Sequence, residues 1–318
     1  MKRILLSCLF PALLLLAAAP ASAQKGVVLQ YKFGPKDKLI YRTTADVKQT
    51  RTIGDNTNEV TIATTDVVER RLDKIDSQKN FVLESENKDL RVQMKIGGLG
   101  EYKYKARSED NERASRLGAE LTPLYETLTG AVVNVTVTPR GEVVGVKGYK
   151  ELLAPVLKGK EIAKQFAGGG SDKLYALQAA ELYPTFSKDP VKPGDTWSVP
   201  FEISMPKFGT AKGKKTYKYV GPEKIGGRGV EKVTYTYDLT FKLDLDMGGA
   251  KVVGELAVSK SSGTVLFDAA KGQLVSLQAE YDMGGDLTVS AGGNDIAVRT
   301  DSVQKFKVEQ LDKLPNQP

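Results

Sequence analysis

Tyr235-Thr236-Tyr237-Asp238-Leu239-Thr240-Phe241-Lys242-Leu243-Asp244-Leu245-Asp246-Met247 alternates without a break, apolar or aromatic at every odd position and polar at every even one. Successive side chains of a β-strand point to opposite faces, so this period of two specifies a strand with one buried and one wet face. A strand is ordinarily roughly five or six residues long. A run of more than twice that length predicts long antiparallel strands in a strongly curved sheet.

The pattern extends outward from this run. Val275, Leu277, Ala279, Tyr281 and Met283 repeat it on odd positions, and Leu287, Val289 and Ala291 continue it past Gly284-Gly285. Ile296, Val298, Phe306 and Val308 carry it on even positions. Connections are expected at Pro139-Arg140-Gly141, Gly248-Gly249, Ser261-Ser262-Gly263, Ala270-Lys271-Gly272 and Gly292-Gly293-Asn294, where residues suited to tight turns interrupt the alternation. Towards the N-terminus, strands are expected over Leu39–Val47, Val60–Leu72, Phe81–Val92 and Tyr102–Ala106.

The middle has a different period. Leu117, Leu121, Leu124 and Leu128 recur at helical spacing after Ser108-Glu109-Asp110. Tyr149, Leu152, Leu153, Val156 and Leu157 predict a second helix that Pro155 should kink or break, and Leu174, Leu177 and Ala180 a third after Gly168-Gly169-Gly170. The expected fold is mainly β (α+β), a long curved antiparallel sheet or half-barrel packed against two or three central helices. Its parts are a signal peptide (1–23), an N-terminal β region (24–107), a helical middle with a β-hairpin (108–186) and a C-terminal antiparallel meander (187–318). Residues 24–318 should form one compact unit. The hairpins Val135–Val146 and Thr264–Leu277, each downstream of a Pro- and Gly-containing turn, are compatible with two similar β halves. An outer-membrane barrel also uses alternating strands, but the helical middle and sparse aromatics argue against one.

Lys2 and Arg3, the apolar run Ile4–Ala19 and Ala21-Ser22-Ala23 have the layout of a secretory signal cleaved after Ala23. The expected location is therefore the periplasm or beyond, with no transmembrane anchor. Leu6-Ser7-Cys8 lies too close to the charged start to be a lipoprotein processing site. Loss of Cys8 with the signal leaves no cysteine and hence no disulfide or thiolate metal site. Loss of Lys2 and Arg3 lowers the net charge from +7 to +5, mildly basic for this length.

The chain has no histidine. Ser–His and Cys–His nucleophile pairs, imidazole bases and imidazole metal ligands are therefore excluded. The same-face carboxylate pairs Glu84/Glu86 and Asp244/Asp246 have a spacing that glycoside hydrolysis can use, yet they fall on wet strand faces. Asp246-Met247-Gly248-Gly249 and Asp282-Met283-Gly284-Gly285-Asp286 offer oxygen ligands of the kind calcium takes, but too few and without a binding-loop spacing. Ser259-Lys260 lacks the helical spacing of a Ser-x-x-Lys nucleophile. No catalytic residue, cofactor or metal is expected. The clusters Lys103-Tyr104-Lys105-Ala106-Arg107 and Lys212–Tyr219 suit an anionic envelope component better than a nucleic acid, given export.

Tyr183–Trp197, with its Pro193-Gly194-Asp195-Thr196-Trp197 turn, and the hairpin Val135–Val143 resemble a group of exported bacterial β-rich proteins of uncharacterised function. The resemblance implies a fold but no catalytic residues. In architecture alone, the chain is similar to the half-barrels that carry lipoproteins across the bacterial envelope, which hold acyl chains in an apolar cavity. The favoured expectation is a non-enzymatic envelope protein that binds a lipid or other amphiphile against Tyr237, Leu239, Phe241, Val275 and Leu277. An interaction or scaffold module with a solid core, recognising a protein partner, and a carboxylate-dependent glycan hydrolase are the alternatives.

Overall fold

The computed structural model describes residues 26–167, 170–205, 209–246 and 249–315. The signal segment with Cys8 and Ala23, the glycines Gly168 and Gly169, and Met247-Gly248 lie outside the described residues. Six strands and four helices make up the first part: β1 (Lys38–Ile53), β2 (Asn56–Ile75), β3 (Phe81–Ile96), β4 (Gly100–Lys105), α1 (Arg116–Leu128), β5 (Val132–Val137), β6 (Val143–Lys147), α2 (Tyr149–Leu157), α3 (Glu161–Phe166) and α4 (Asp172–Glu181). The rest is an uninterrupted meander of β7 (Thr196–Met205), β8 (Gly209–Ile225), β9 (Arg228–Asp246), β10 (Ala250–Asp268), β11 (Gln273–Ala291) and β12 (Asn294–Leu311).

All these strands join one antiparallel sheet in the order β6-β5-β3-β2-β1-β12-β11-β10-β9-β8-β7, with β4 on the side of β3. The first and last strands meet at its centre, paired from Ile40 opposite Leu311 to Thr52 opposite Arg299. The sheet is open, with β6 and β7 at its two ends, so it is not a closed barrel. The hairpin β5–β6 lies at one edge, whereas β10–β11, which contains Thr264–Leu277, lies in the interior.

Register divides the two faces chemically. Phe241 lies opposite Leu256, which lies opposite Gly285, and Leu243 aligns likewise with Gly254 and Leu287. One step along, Lys242, Glu255, Asp286 and Arg299 form a row across β9 to β12. The outer face thus carries ion pairs such as Lys251–Asp244 at 3.1 Å and Arg299–Asp301 at 3.1 Å, and the inner face of β9 to β11 is mainly apolar.

Several local expectations are corrected. Ser261-Ser262-Gly263 is no turn but lies inside β10. Pairing with β9 lapses between Ala257 and Gly263, and the ring of Tyr235 lies where a side chain on Gly263 would stand. Asp282–Asp286, where the glycines suggest a strand end or a bulge, is strand interior within β11. Helix α1 begins after Ser115, whose hydroxyl accepts a hydrogen bond from the Gly118 amide at 3.0 Å, and not at Ser108. Ser115 satisfies a donor that the first turn leaves free. Pro155 sits inside α2 without ending it.

Two cores form on the inner face. One gathers Leu83, Val137, Tyr217, Tyr219, Val233, Val265, Phe267, Leu277 and Val308 under the segments around Tyr31 and Tyr183–Val191. The other packs the Leu117, Leu121 and Leu124 stripe of α1, with Leu153 of α2 and Ala163 of α3, against Val92, Met94, Tyr102 and Tyr104.

Candidate ligand cavity

Parity along β3 switches at an extra residue. Val67 pairs with Asp89 and Val68 with Asn87, so the register passes over Lys88. Such a bulge bends a strand and shifts its side chains by one place. Leu83, Ser85 and Asn87 before it, and Leu90, Val92 and Met94 after it, therefore all face inward. The bend carries the sheet around the helices, and a cavity of about 430 Å³ remains between them.

The floor of the cavity comes from Thr43 and Ala45 of β1, Ile62 through Arg70 on the even positions of β2, Ser85 through Val92 of β3, Val133 and Val135 of β5, and Phe306 of β12. Tyr125 and Leu128 of α1, Tyr149 of α2, Phe166 of α3 and Tyr175, Gln178 and Ala179 of α4 form the roof. Tyr149 and Tyr175 pack ring on ring, 4.4 Å between centroids, and tie α2 to α4. The volume lies in the range of roughly 300–1,000 Å³ typical of small-molecule sites.

Among the described residues two charged ones line it, Asp66 and Arg70. Arg70 is only 4% exposed. Its guanidinium lies 4.7 Å from the ring centroid of Tyr41 and 4.6 Å from that of Tyr183. Among the described residues no carboxylate comes within 4.0 Å of it and no acceptor takes a hydrogen bond from it. Burial pushes the Asp66 carboxyl up to about 7, with the charge of Arg70 and a hydrogen bond from Thr43 acting in the opposite direction. Burial likewise raises Tyr175 to about 12, so its hydroxyl stays neutral. The Asn87 Oδ1, also on the wall, is buried without a hydrogen-bond donor among the described residues.

The residues expected to hold a ligand are dispersed. Leu277 is 1% exposed within the solid core. Val275 is the extra residue of a bulge, since Leu266 pairs with Ser276 and Phe267 with Leu274. That irregularity puts Leu274 into the core with Leu277 and leaves Val275 outside it. Tyr237 donates its hydroxyl hydrogen to Glu181 Oε1 at 3.0 Å, and Lys215 Nζ lies 2.9 Å from Glu181 Oε2 and 4.8 Å from the Tyr237 ring centroid. This network fastens α4 to β8 and β9. Leu239 and Phe241 are half-buried on the inner face beyond it and belong to neither core.

The other candidates fall on the outside or at strand ends. Glu86 pairs with Lys88 at 2.5 Å, and Glu84 is exposed. Asp244 pairs with Lys251, and the Asp246 side chain lies outside what is described. In the basic clusters the tyrosines point inward and most of the lysines outward: Tyr104, Tyr217 and Tyr219 are buried, and Lys103, Lys105, Lys212, Lys214 and Lys218 exposed. Lys215, which faces inward to Glu181, is the exception. The turn at Pro193-Gly194-Asp195 forms as expected, with the Lys192 amide donating to Asp195 Oδ2 at 2.8 Å. Trp197 stacks on Tyr217 with centroids 5.3 Å apart and donates from Nε1 to the Thr185 carbonyl at 2.9 Å.

Asp66 and Arg70 are not among the residues expected to bind a ligand, although the sequence carries a signal for them. Asp66-Val67-Val68-Glu69-Arg70-Arg71 carries charge on both parities of a strand that must turn one face inward. One of the two charged sets had to be buried. Only the register, which aligns Asp66 with Thr43 and Leu90, shows which.

No curated protein matches the chain. Among solved structures, lipovitellin superposes with a TM-score of 0.44 at 10% identity, over 90% of this chain and 27% of that one. The chain thus spans about a quarter of the length of lipovitellin. DynF of the dynemicin biosynthesis pathway of Micromonospora chersina gives 0.21 at 10% identity, over 93% and 88% of the two chains. The β domain of the Bordetella autotransporter BrkA gives 0.23 at 10% identity, over 86% and 99%. Similarity at this level carries no inference about what the chain binds. A family model described as a family of unknown function matches residues 78–272, a span that runs from β3 to the turn before β11 and contains both the Val135–Val143 hairpin and Tyr183–Trp197. The chain therefore belongs to that family, DUF6263.

Proposed function

We propose that this is an exported, non-enzymatic binding protein that holds an apolar or amphiphilic ligand between the inner face of the sheet and the helices. The observation that carries the reading is the cavity of about 430 Å³, walled by Ile62, Leu90, Val92, Leu128, Val133, Phe166 and Phe306 at a place where a solid core would have no gap. The absence of histidine and the outward-facing, ion-paired carboxylates favour binding over catalysis.

Native mass spectrometry of gently purified mature protein, with organic extraction of whatever accompanies it, tests the reading. A bound lipid or other amphiphile is the expected result. Ala45→Phe puts a ring into the cavity from the middle of β1 and is expected to lower affinity for a fluorescent fatty acid at least tenfold while the protein stays folded. Phe241→Glu, on the inner face away from the cavity, should leave that affinity unchanged. A bare mass together with no fatty-acid binding at micromolar concentration overturns the reading. Release by Phe241→Glu alone would move the ligand onto the half-buried face of β9.

A further inference from the structure

Within the cavity, the placement of Arg70 specifies what the polar end of a ligand must be. We propose that the cavity selects an anionic amphiphile, its acidic head group paired with Arg70 and its tail against the apolar floor between β1, β2 and β3. This deepens, and rests on, the binding function proposed above.

A buried cation is expensive unless it is paired and its donors are used. Arg70 is 4% exposed, and its contacts among the described residues are the ring faces of Tyr41 and Tyr183. Ring faces attract the positive charge but accept none of the guanidinium hydrogens in the ordinary way. The planar fork of N–H donors is thus left unused, and its geometry matches a carboxylate or phosphate. Among the described residues no second cation lines the cavity, so the site suits one acidic group and not a polyanion.

Asp66, four residues along the same strand face, is the built-in competitor. The groups that face this pair are Thr43 and Tyr41 from β1, Ser85 and Asn87 from β3, Tyr125 from α1, Tyr149 from α2, Tyr175 from α4, and Tyr183 beyond it. None of these carries a charge near neutral pH, because burial raises the tyrosines far above it. The balance between Arg70 and Asp66 therefore sets the charge of the cavity. With Asp66 protonated the cavity is cationic, and with Asp66 ionised it is neutral overall and a bound anion faces a carboxylate.

The test compares dodecanoic acid, dodecyl phosphate and dodecanol, which share one tail, with acetate and inorganic phosphate as tail-less controls. Binding is measured by calorimetry at pH 6 and pH 8 on the full mature protein. The two anionic amphiphiles should bind the unmodified protein at least tenfold more tightly than the alcohol at pH 6, and this preference should shrink at pH 8. Arg70→Gln should abolish the preference while changing dodecanol affinity less than threefold, and Arg70→Lys should retain part of it. Equal binding of acid and alcohol overturns the anionic selection and leaves the cavity function standing. If none of the three binds, both fall. Acetate or phosphate binding as tightly as the amphiphiles would make this a small-anion site and overturn the proposal. Should Arg70→Gln fail to fold, the comparison of acid with alcohol on the unmodified protein still decides.

Discussion

At the scale of single residues, the unusual groups are a carboxyl and a guanidinium on one inward strand face where the fold otherwise places threonine, valine and isoleucine. Asp66 is lifted to about 7, principally by burial, whereas an unfolded chain returns it to the ordinary carboxylate value of about 4. Between these two pH values the native protein keeps a proton that the unfolded chain has released. Stability contributed by this group is therefore complete below about pH 4 and lost progressively as pH rises through about 7. Asp66→Asn removes the titration without removing the shape. It should match the unmodified protein in urea unfolding at pH 4 and exceed it at pH 8 by on the order of 1–2 kcal/mol, a figure kept small because the side chain faces a cavity and not a sealed core. A variant less stable than the unmodified protein at pH 8 would mean that ionised Asp66 is a needed partner of Arg70. That result would also weaken the case that the cation awaits a ligand.

At the scale of elements, turns locate the cavity as firmly as strands do. The β5–β6 hairpin turns at Gly141, whose φ of 93° suits glycine. A β-carbon there would collide with the Pro184 carbonyl and with the Tyr31 ring. Beside it the Phe186 amide donates to the Arg140 carbonyl at 2.8 Å, so the hairpin tip seats the segment that also presents Tyr183 to Arg70. Gly141→Ala should cost on the order of 2–3 kcal/mol in chemical denaturation. It should also reduce amphiphile binding, because Tyr183 loses its backing. This turn was legible in Pro139-Arg140-Gly141, and most of the strands and three of the helices in their apolar periods, because those signals are local. The β-bulges at Lys88 and Val275 were not legible. A bulge changes which parity faces inward without changing composition, and the strand continues on either side of it. That one-residue ambiguity placed Val275 in the expected site, whereas Arg70 lies on an unbroken parity of β2 whose burial only the register to β1 and β3 reveals. The α3 helix, six residues long, is too short to show a period of its own.

At the scale of the whole molecule, an open sheet with strands of up to 20 residues spans about 60 Å along a strand, at roughly 3.3 Å per residue, and must keep its two edges from pairing with other chains. The edges are managed differently. β6 is only five residues long, and α4 packs on it. β7 is ten residues long, pairs with β8 on one side, and has no other strand beside it among the described residues. What it does have is Pro200, exposed, in its middle and opposite Lys214. Proline donates no amide hydrogen and is confined within sheets to edges and bulges, so its presence here blunts the edge as a template. Pro200→Thr restores the donor with a residue that favours strands. The expected outcome is concentration-dependent self-association, read as a shift from monomer to dimer or larger species by analytical ultracentrifugation, with little change in thermal unfolding of the dilute protein. A variant that stays monomeric at high concentration would show that the charged outer face, with Lys212 and Glu202 paired across β7 and β8 at 3.4 Å, protects the edge without the proline. The distinction bears on function, because an inner face that holds an amphiphile has to stay open to its ligand without opening the sheet to a second copy of itself.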